Sequence, residues 1–228
     1  MKILKDLLYL FYPKLCAVCE LKLVDNETTI CTLCRHDLPL TNFTNFRENK
    51  VTKTFYGRTL IHKGYALLFY RKKGSTRKLI QELKYRNNEE IGIFFGNWLG
   101  ELLSENKEFE SVDYIVPVPL HPKKFKERGY NQVTKFGEQL SHHLNKPLIK
   151  GKLKRISATK TQTLKARFER FNNNDTKFQL EDSSFFNNKH ILLIDDVITT
   201  GATLEACANE FQNAENATIS ILTMAFTE

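Results

Sequence analysis

The densest chemistry in the chain lies in Ile191-Leu192-Leu193-Ile194-Asp195-Asp196-Val197-Ile198-Thr199-Thr200-Gly201-Ala202-Thr203. Its apolar start predicts a strand buried on both faces, and paired carboxylates follow at the carboxyl end, where open α/β sheets bind ligands. A short hydroxyl-rich loop then runs straight into a helix. Gly201 lets the backbone turn and approach a ligand closely. The amides at the helix start and the hydroxyls of Thr199, Thr200 and Thr203 suit a monoester phosphate. The binding loop is therefore read as Val197, Thr199, Thr200, Gly201, Ala202 and Thr203. Asp195 and Asp196, the candidate catalytic pair, are acceptors for two ribose hydroxyls or for a hydrated cation. A helix cap with a tight turn would need neither paired acids nor three threonines. The segment lacks the Gly-Lys-Ser/Thr ending of a nucleotide-binding P-loop, and the chain has no Rossmann glycine triplet.

A second cluster is Pro117-Val118-Pro119-Leu120-His121-Pro122-Lys123-Lys124-Phe125-Lys126-Glu127-Arg128-Gly129-Tyr130-Asn131-Gln132. Its three prolines are expected to fix a loop that continues neither as strand nor as helix. Lys123, Lys124 and Arg128 are charge partners for a pyrophosphate, with Arg128 the bidentate donor. A solvated basic loop is the plain alternative. His121 is either a ligand contact or structural.

Cys16-x-x-Cys19 and Cys31-x-x-Cys34 are two knuckles separated by eleven residues. Four thiolates in tetrahedral geometry describe a closed structural zinc site, with iron or unligated cysteines as alternatives. Such clustering in a reducing compartment favours a metal over disulfides. His36 could replace one ligand, and Cys207 is expected in the core of a helix.

Holding these groups requires a sheet and helices, and the apolar periodicity supplies both. Strands are predicted over 60–70, 112–117, 148–153, 189–195 and 217–225, and helices over 78–84, 91–103, 131–144 and 203–214. Such alternation implies a mainly parallel sheet with helices on both faces. Residues 41–54 read as a polar, asparagine-rich linker, and 154–175 as a basic loop without periodicity. Residues 1–12 read as a short amphipathic helix packed on the body, with membrane-surface contact a minor alternative. No uninterrupted apolar run reaches the roughly 18–20 residues needed to cross a bilayer, and no secretory cleavage site follows the first apolar stretch. A cytoplasmic protein is expected. The 228 residues carry a net charge of +8. Between His121 and Arg170 there are 14 Lys and Arg against 3 acids, a surplus suited to a polyanion.

The 191–203 segment resembles the signature of type I phosphoribosyltransferases that binds 5-phosphoribosyl-1-pyrophosphate (PRPP). The proline-rich basic run resembles the most distinctive block of the ComF family, phosphoribosyltransferase-like proteins of bacterial DNA transformation. The cysteine quartet, Leu83-Lys84-Tyr85, and Arg155 with Thr159, Gln162, Leu164, Arg170 and Asn172 agree with that family. Two positions depart from it: Asn87 stands where a glycine commonly follows Leu-Lys-Tyr, and Ile198 where other members often carry a bulkier residue.

The resemblance implies an α/β, type I phosphoribosyltransferase fold over residues 55–228. Residues 1–54 would form the amphipathic helix, a small four-cysteine zinc module and a linker. It implies PRPP as ligand, with magnesium bridging its pyrophosphate and ribose hydroxyls, and a mobile loop over 155–172. Arg155, Lys160, Gln162 and Arg167 of that loop would close on the pyrophosphate. Three functions stay open: phosphoribosyl transfer to an unspecified acceptor; PRPP binding in DNA uptake, with DNA-processing proteins of competence as partners; or single-stranded DNA binding beside a vestigial PRPP pocket. The last would use the basic surface with Tyr130 and Phe168.

Overall fold

The computed structural model describes residues 12–156 and 177–228. Its central sheet comprises β1 (Lys63–Tyr70), β2 (Tyr114–Pro117), β5 (His190–Ile198) and β6 (Thr218–Thr227). The strand order is β1-β6-β5-β2, and each neighbouring pair is parallel. All four carboxyl ends therefore lie along one edge.

The strands alternate their side chains between two cores. Leu192 and Ile194 of β5 enter one, while Ile191 and Leu193 enter the other. Burial on both faces is why this strand reads as a continuous apolar run. The first core is covered by α3 (Ser75–Tyr85), α4 (Glu90–Ser104) and α6 (Val133–Leu144), through Leu79, Phe95, Leu99, Phe136 and Leu140. Helices α4 and α6 approach closely because glycine faces the contact. A Cβ at Gly96 would lie 2.8 Å from the Phe136 carbonyl oxygen. The second core holds Leu204, Cys207 and Ala208 of α7 (Ala202–Glu210) with Val51 of α2 (Lys50–Lys53) and Phe55. The architecture is the helix-flanked, mainly parallel α/β arrangement that the alternation predicts, and Cys207 is a core residue as expected.

Four local expectations are corrected. Strand β5 does not stop at Asp195. It runs on to Ile198 because Val197 and Ile198 pair with Ala225 and Phe226 of β6. The proline-rich basic run does not remain a loop, since residues 122–128 form α5 (Pro122–Arg128). Pro122 occupies the first turn, where its missing N–H costs nothing, and His121 Nδ1 accepts from the Lys123 amide at 3.2 Å as the N-cap. Residues 41–54 are not an irregular linker: Asn49 caps α2 through a reciprocal box with Thr52, and Phe46, Val51 and Thr52 are buried. The strand expected over 148–153 lies further on, as β3 (Leu153–Ile156), antiparallel to β4 (Lys177–Leu180) in a separate two-stranded sheet. Leu148 makes only an isolated bridge to Ile115.

The basic segment thus begins in a strand, and its continuation, with Lys160, Gln162, Arg167 and Phe168, lies outside the described residues. So does nearly all of the amphipathic stretch at 1–12. Among the described residues, no helix is long and apolar enough to cross a membrane.

Candidate functional site

Asp195 and Asp196 sit in the carboxyl half of β5, on opposite faces of the sheet. Asp195 is partly accessible, and its Oδ1 accepts the Asp196 amide at 2.8 Å. Burial first, and the Asp196 charge second, push the Asp195 carboxyl up to about 7. The Asp196 amide and the charges of Lys84 and Arg155 oppose that rise. Asp196 is buried and forms an ion pair with Lys84 Nζ at 2.8 Å. Lys84 comes from the last turn of α3, so that helix reaches from just beyond β1 across to β5.

The segments singled out in the sequence meet at this point. The Tyr130 hydroxyl donates to the Leu83 carbonyl, and the Arg128 guanidinium lies 5.0 Å from the centre of the Tyr85 ring. Asn131 Nδ2 donates to the Val118 carbonyl at 2.9 Å, which folds the chain after α5 back onto the end of β2. Leu83-Lys84-Tyr85 and Arg128-Gly129-Tyr130-Asn131 therefore brace each other beside the two acids. Lys84 was missed as a site residue because nothing local to it shows that it reaches residue 196.

Thr199 and Thr200 are exposed, Gly201 adopts φ +78 as the N-cap of α7, and the Ala202 amide at the helix start donates to Thr200 Oγ1 at 3.4 Å. The turn rests on an earlier segment, since a Cβ at Gly201 would meet Phe55 Cε1 and Thr54 Cγ2 at 3.0 Å. Arg58 clamps it: Nη2 donates to the Thr200 carbonyl at 3.1 Å, Nε to the Thr54 carbonyl at 3.1 Å, and Nη1 to Glu205 at 2.7 Å. Sequence reasoning gave Arg58 no role, for Thr200 and Glu205 lie more than 140 positions away. The Thr200 carbonyl is thus bound to Arg58 while the Thr199 and Thr200 side chains stay exposed.

Helix α5 and the 199–201 turn leave the carboxyl ends of adjacent strands, β2 and β5. The Val118 amide donates to the Ile194 carbonyl at 3.0 Å, which keeps the two exits in register. Lys123 and Lys124 are exposed on α5, and Arg128 is half-buried against Tyr85. Arg155, on β3, stacks 5.6 Å from the Phe178 ring centre, and its charge reaches Asp195. The 199–201 turn and the paired acids thus lie at the carboxyl edge of the sheet, with Lys84 and the Arg155 charge reaching the acids.

The cysteine module packs against the first core through Cys16 and Leu23. The four sulfurs of Cys16, Cys19, Cys31 and Cys34 lie within 4.8 Å of one another, and none is in a disulfide. Cys19 Sγ and Cys31 Sγ are 3.8 Å apart. That matches the edge of a tetrahedron with Zn–S of about 2.3 Å, which is ~3.8 Å. The amides of Val18 and Cys31 point at Cys16 Sγ, and that of Cys34 at Cys31 Sγ. Burial pushes the Cys16 thiol up, but backbone N–H donors outweigh it and hold it at about 6. Burial and the neighbouring cysteines push the Cys34 thiol far up. The quartet can hold a metal ion, whereas His36 is exposed beside Asp37 and is not among the clustered groups.

No family model matches the chain. Competence protein F of Haemophilus influenzae is 34% identical over 130 residues, 55% of this chain and 57% of that protein. Competence protein ComFC of Bacillus subtilis is 29% identical over 206 residues, 88% of this chain and 80% of that protein. The chain is thus similar to two proteins named for competence, and to the second of them over most of its length. DNA utilization protein YhgH of Salmonella typhimurium is 30% identical over 147 residues, 63% of each chain. The match spans little more than half of the Haemophilus ComF protein. Among solved structures, a purine phosphoribosyltransferase from Pyrococcus horikoshii aligns with TM-score 0.38 and 21% identity, over 60% of this chain and 73% of that one. A hypoxanthine phosphoribosyltransferase from Staphylococcus aureus aligns with TM-score 0.37 and 18% identity, over 60% and 63%.

Proposed function

We propose that this protein binds PRPP, or a close phosphoribosyl relative, at the carboxyl edge of its sheet, and that it serves DNA uptake or use, as its ComF and YhgH relatives' names indicate. One arrangement carries the reading: Asp195 and Asp196 beside Lys84, followed by a hydroxyl loop that turns at Gly201 into the start of α7. In it, Thr199, Thr200, Thr203 and the amides at Gly201 and Ala202 hold the 5-phosphate. Asp195 and Asp196 accept from the ribose hydroxyls. Lys123, Lys124, Arg128 and Arg155 face the pyrophosphate, with Tyr85 supporting Arg128. Magnesium would supply charge neutralisation at the pyrophosphate. The protein's own contribution is positioning and charge, so transfer to a nitrogen acceptor needs no side-chain nucleophile.

Residues 1–54 act, in this reading, as a brace for 55–228, with zinc held by Cys16, Cys19, Cys31 and Cys34. Reduced thiols fit a cytoplasmic setting. A thermal-shift titration tests the ligand: PRPP with magnesium at about 100 times its Kd should add about 2.7 kcal/mol. For a chain of this size that is roughly 5–11 °C in Tm. Asp195→Asn with Asp196→Asn should remove the shift. A double variant that still responds as wild type would show that the ligand sits elsewhere. Pyrophosphate release with a panel of bases separates turnover from binding alone.

Binding of single-stranded DNA is the second reading. It is favoured by Tyr85, 72% exposed with a guanidinium on its ring, beside the cations of α3. Tyr130 is unsuited to it, because its hydroxyl is tied to Leu83. Oligonucleotide titrations at two salt concentrations decide: a negligible signal at low salt ends this reading.

A further inference from the structure

A different part of the same sheet edge carries features of an anion site that the phosphoribosyl reading does not use. Strand β1 ends at Tyr70, and Arg71-Lys72-Lys73-Gly74 leads into α3, a helix of 11 residues. Gly74 is its N-cap at φ +123, a backbone conformation that residues with side chains rarely adopt. Among the described residues no side chain caps the helix, so its first amides lack a side-chain acceptor there. A cavity of about 170 Å³ opens there, and Asp37, Arg71, Lys73, Gly74, Ser75 and Thr76 are among the residues that line it.

Thr76 supplies the deciding observation. It is 2% exposed, and its Oγ1 has no hydrogen-bond partner among the described residues. Folded proteins seldom leave a buried hydroxyl unmatched, so an acceptor is missing at this place. The Oγ1–H, the Ser75 hydroxyl and the converging amides are all donors, and an oxyanion supplies the oxygens they lack. Arg71 is held at the rim by Glu228, with Nε to Oε2 at 2.9 Å, and Lys73 makes no ion pair among the described residues. Asp37 opposes them on the lining, so attraction rests on the donors as much as on net charge.

We propose that the amino end of α3 is a second phosphate-binding site, taking inorganic phosphate or the phosphate of a monoester. Its donors are Ser75, Thr76 and the first amides, and Lys73 is its cation. It is independent of the 199–203 loop. Eleven residues of helix span about 16 Å, and Lys84 at the far end of α3 is already bound to Asp196, so one phosphate cannot serve both ends.

Calorimetric titration of the full chain with inorganic phosphate, repeated with ribose 5-phosphate, tests this. Two sites per chain are expected in the wild type. Thr76→Val should leave only one, and it should raise the melting temperature of the ligand-free protein, because an unmatched hydroxyl is gone. Lys73→Gln, at an exposed position, should weaken the same site at least threefold while leaving the fold intact. Thr199→Val with Thr200→Val should delete the other site and spare this one. A single site lost only with the Thr199/Thr200 pair overturns the proposal and leaves the phosphoribosyl reading standing. A single site lost only with Thr76→Val does the reverse. Phosphate binding that none of these variants moves is an adventitious ion only, and it overturns the proposal.

Discussion

Replacing Asp195 by Asn probes the electrostatics of the paired acids at the carboxyl end of β5. Burial and the neighbouring Asp196 charge push the Asp195 carboxyl up to about 7. In an unfolded chain an aspartate titrates near ~3.9. Between those values the folded protein holds a proton that the unfolded chain has lost, so this group's stability contribution is complete below about 3.9 and disappears as pH rises through 7. One proton corresponds to about 1.4 kcal/mol per pH unit, and roughly three units set a ceiling of about 4 kcal/mol. Because Asp195 is partly accessible, solvent reduces that to about 2 kcal/mol. Asn keeps an acceptor for the Asp196 amide but cannot ionise. The variant should therefore gain about 1.3 kcal/mol on the wild type between pH 5 and pH 8, since about two of the three units lie inside that range. His190 acts in the opposite sense. Burial pushes it down to about 4, so its contribution is lost as pH falls from about 6.5 toward 4, but it is common to both proteins and cancels in the difference. Urea midpoints at pH 5, 6, 7 and 8, without added metal, give the comparison. A difference between variant and wild type that stays flat across that range refutes the argument.

Lys84→Met should cost about 1–3 kcal/mol at pH 8 by leaving Asp196 without its partner, and adding Asp196→Asn should recover most of it in a urea double-mutant cycle. Gly201→Ala should cost about 1–2 kcal/mol through φ +78, shift the loop off Phe55, and weaken ribose 5-phosphate binding in the same titration. Protein purified without chelators should contain about one zinc per chain by elemental mass spectrometry, and Cys31→Ser should lose both the metal and several degrees of Tm.

The parts of the fold that were legible are those whose signal is local. Four apolar residues before Asp195, and the apolar face of Ile91, Phe95 and Leu99, announce a buried strand and a packed helix wherever they sit. The errors came where a distant partner decides. Val197 and Ile198 belong to β5 only because β6 lies alongside, whereas the paired acids look like a strand end. Leu153–Ile156 is a strand because of β4, which follows some twenty residues later. Polar Asn49 looked like part of a linker, yet its side chain caps α2 and also donates to the Gly64 carbonyl. Prolines beside lysines looked like a stiff loop, and the signal that was available, Pro122 at a helix start, was read only as a breaker. At the site, the residue types of the anion loop were evident, but the contacts of Lys84 and Arg58 come only from chain reversal.

Arg58 has a practical consequence for anyone trimming this protein. A fragment that begins at β1 would keep every residue of the anion loop and yet lose the guanidinium and the aromatic floor on which the loop is seated. Such a shortened chain would fold around its sheet and still fail to present its donors in order, and the defect would look like lost chemistry when it was lost upholstery. Deletions meant to isolate the larger unit should start before Phe46, so that the whole cushion travels with the seat.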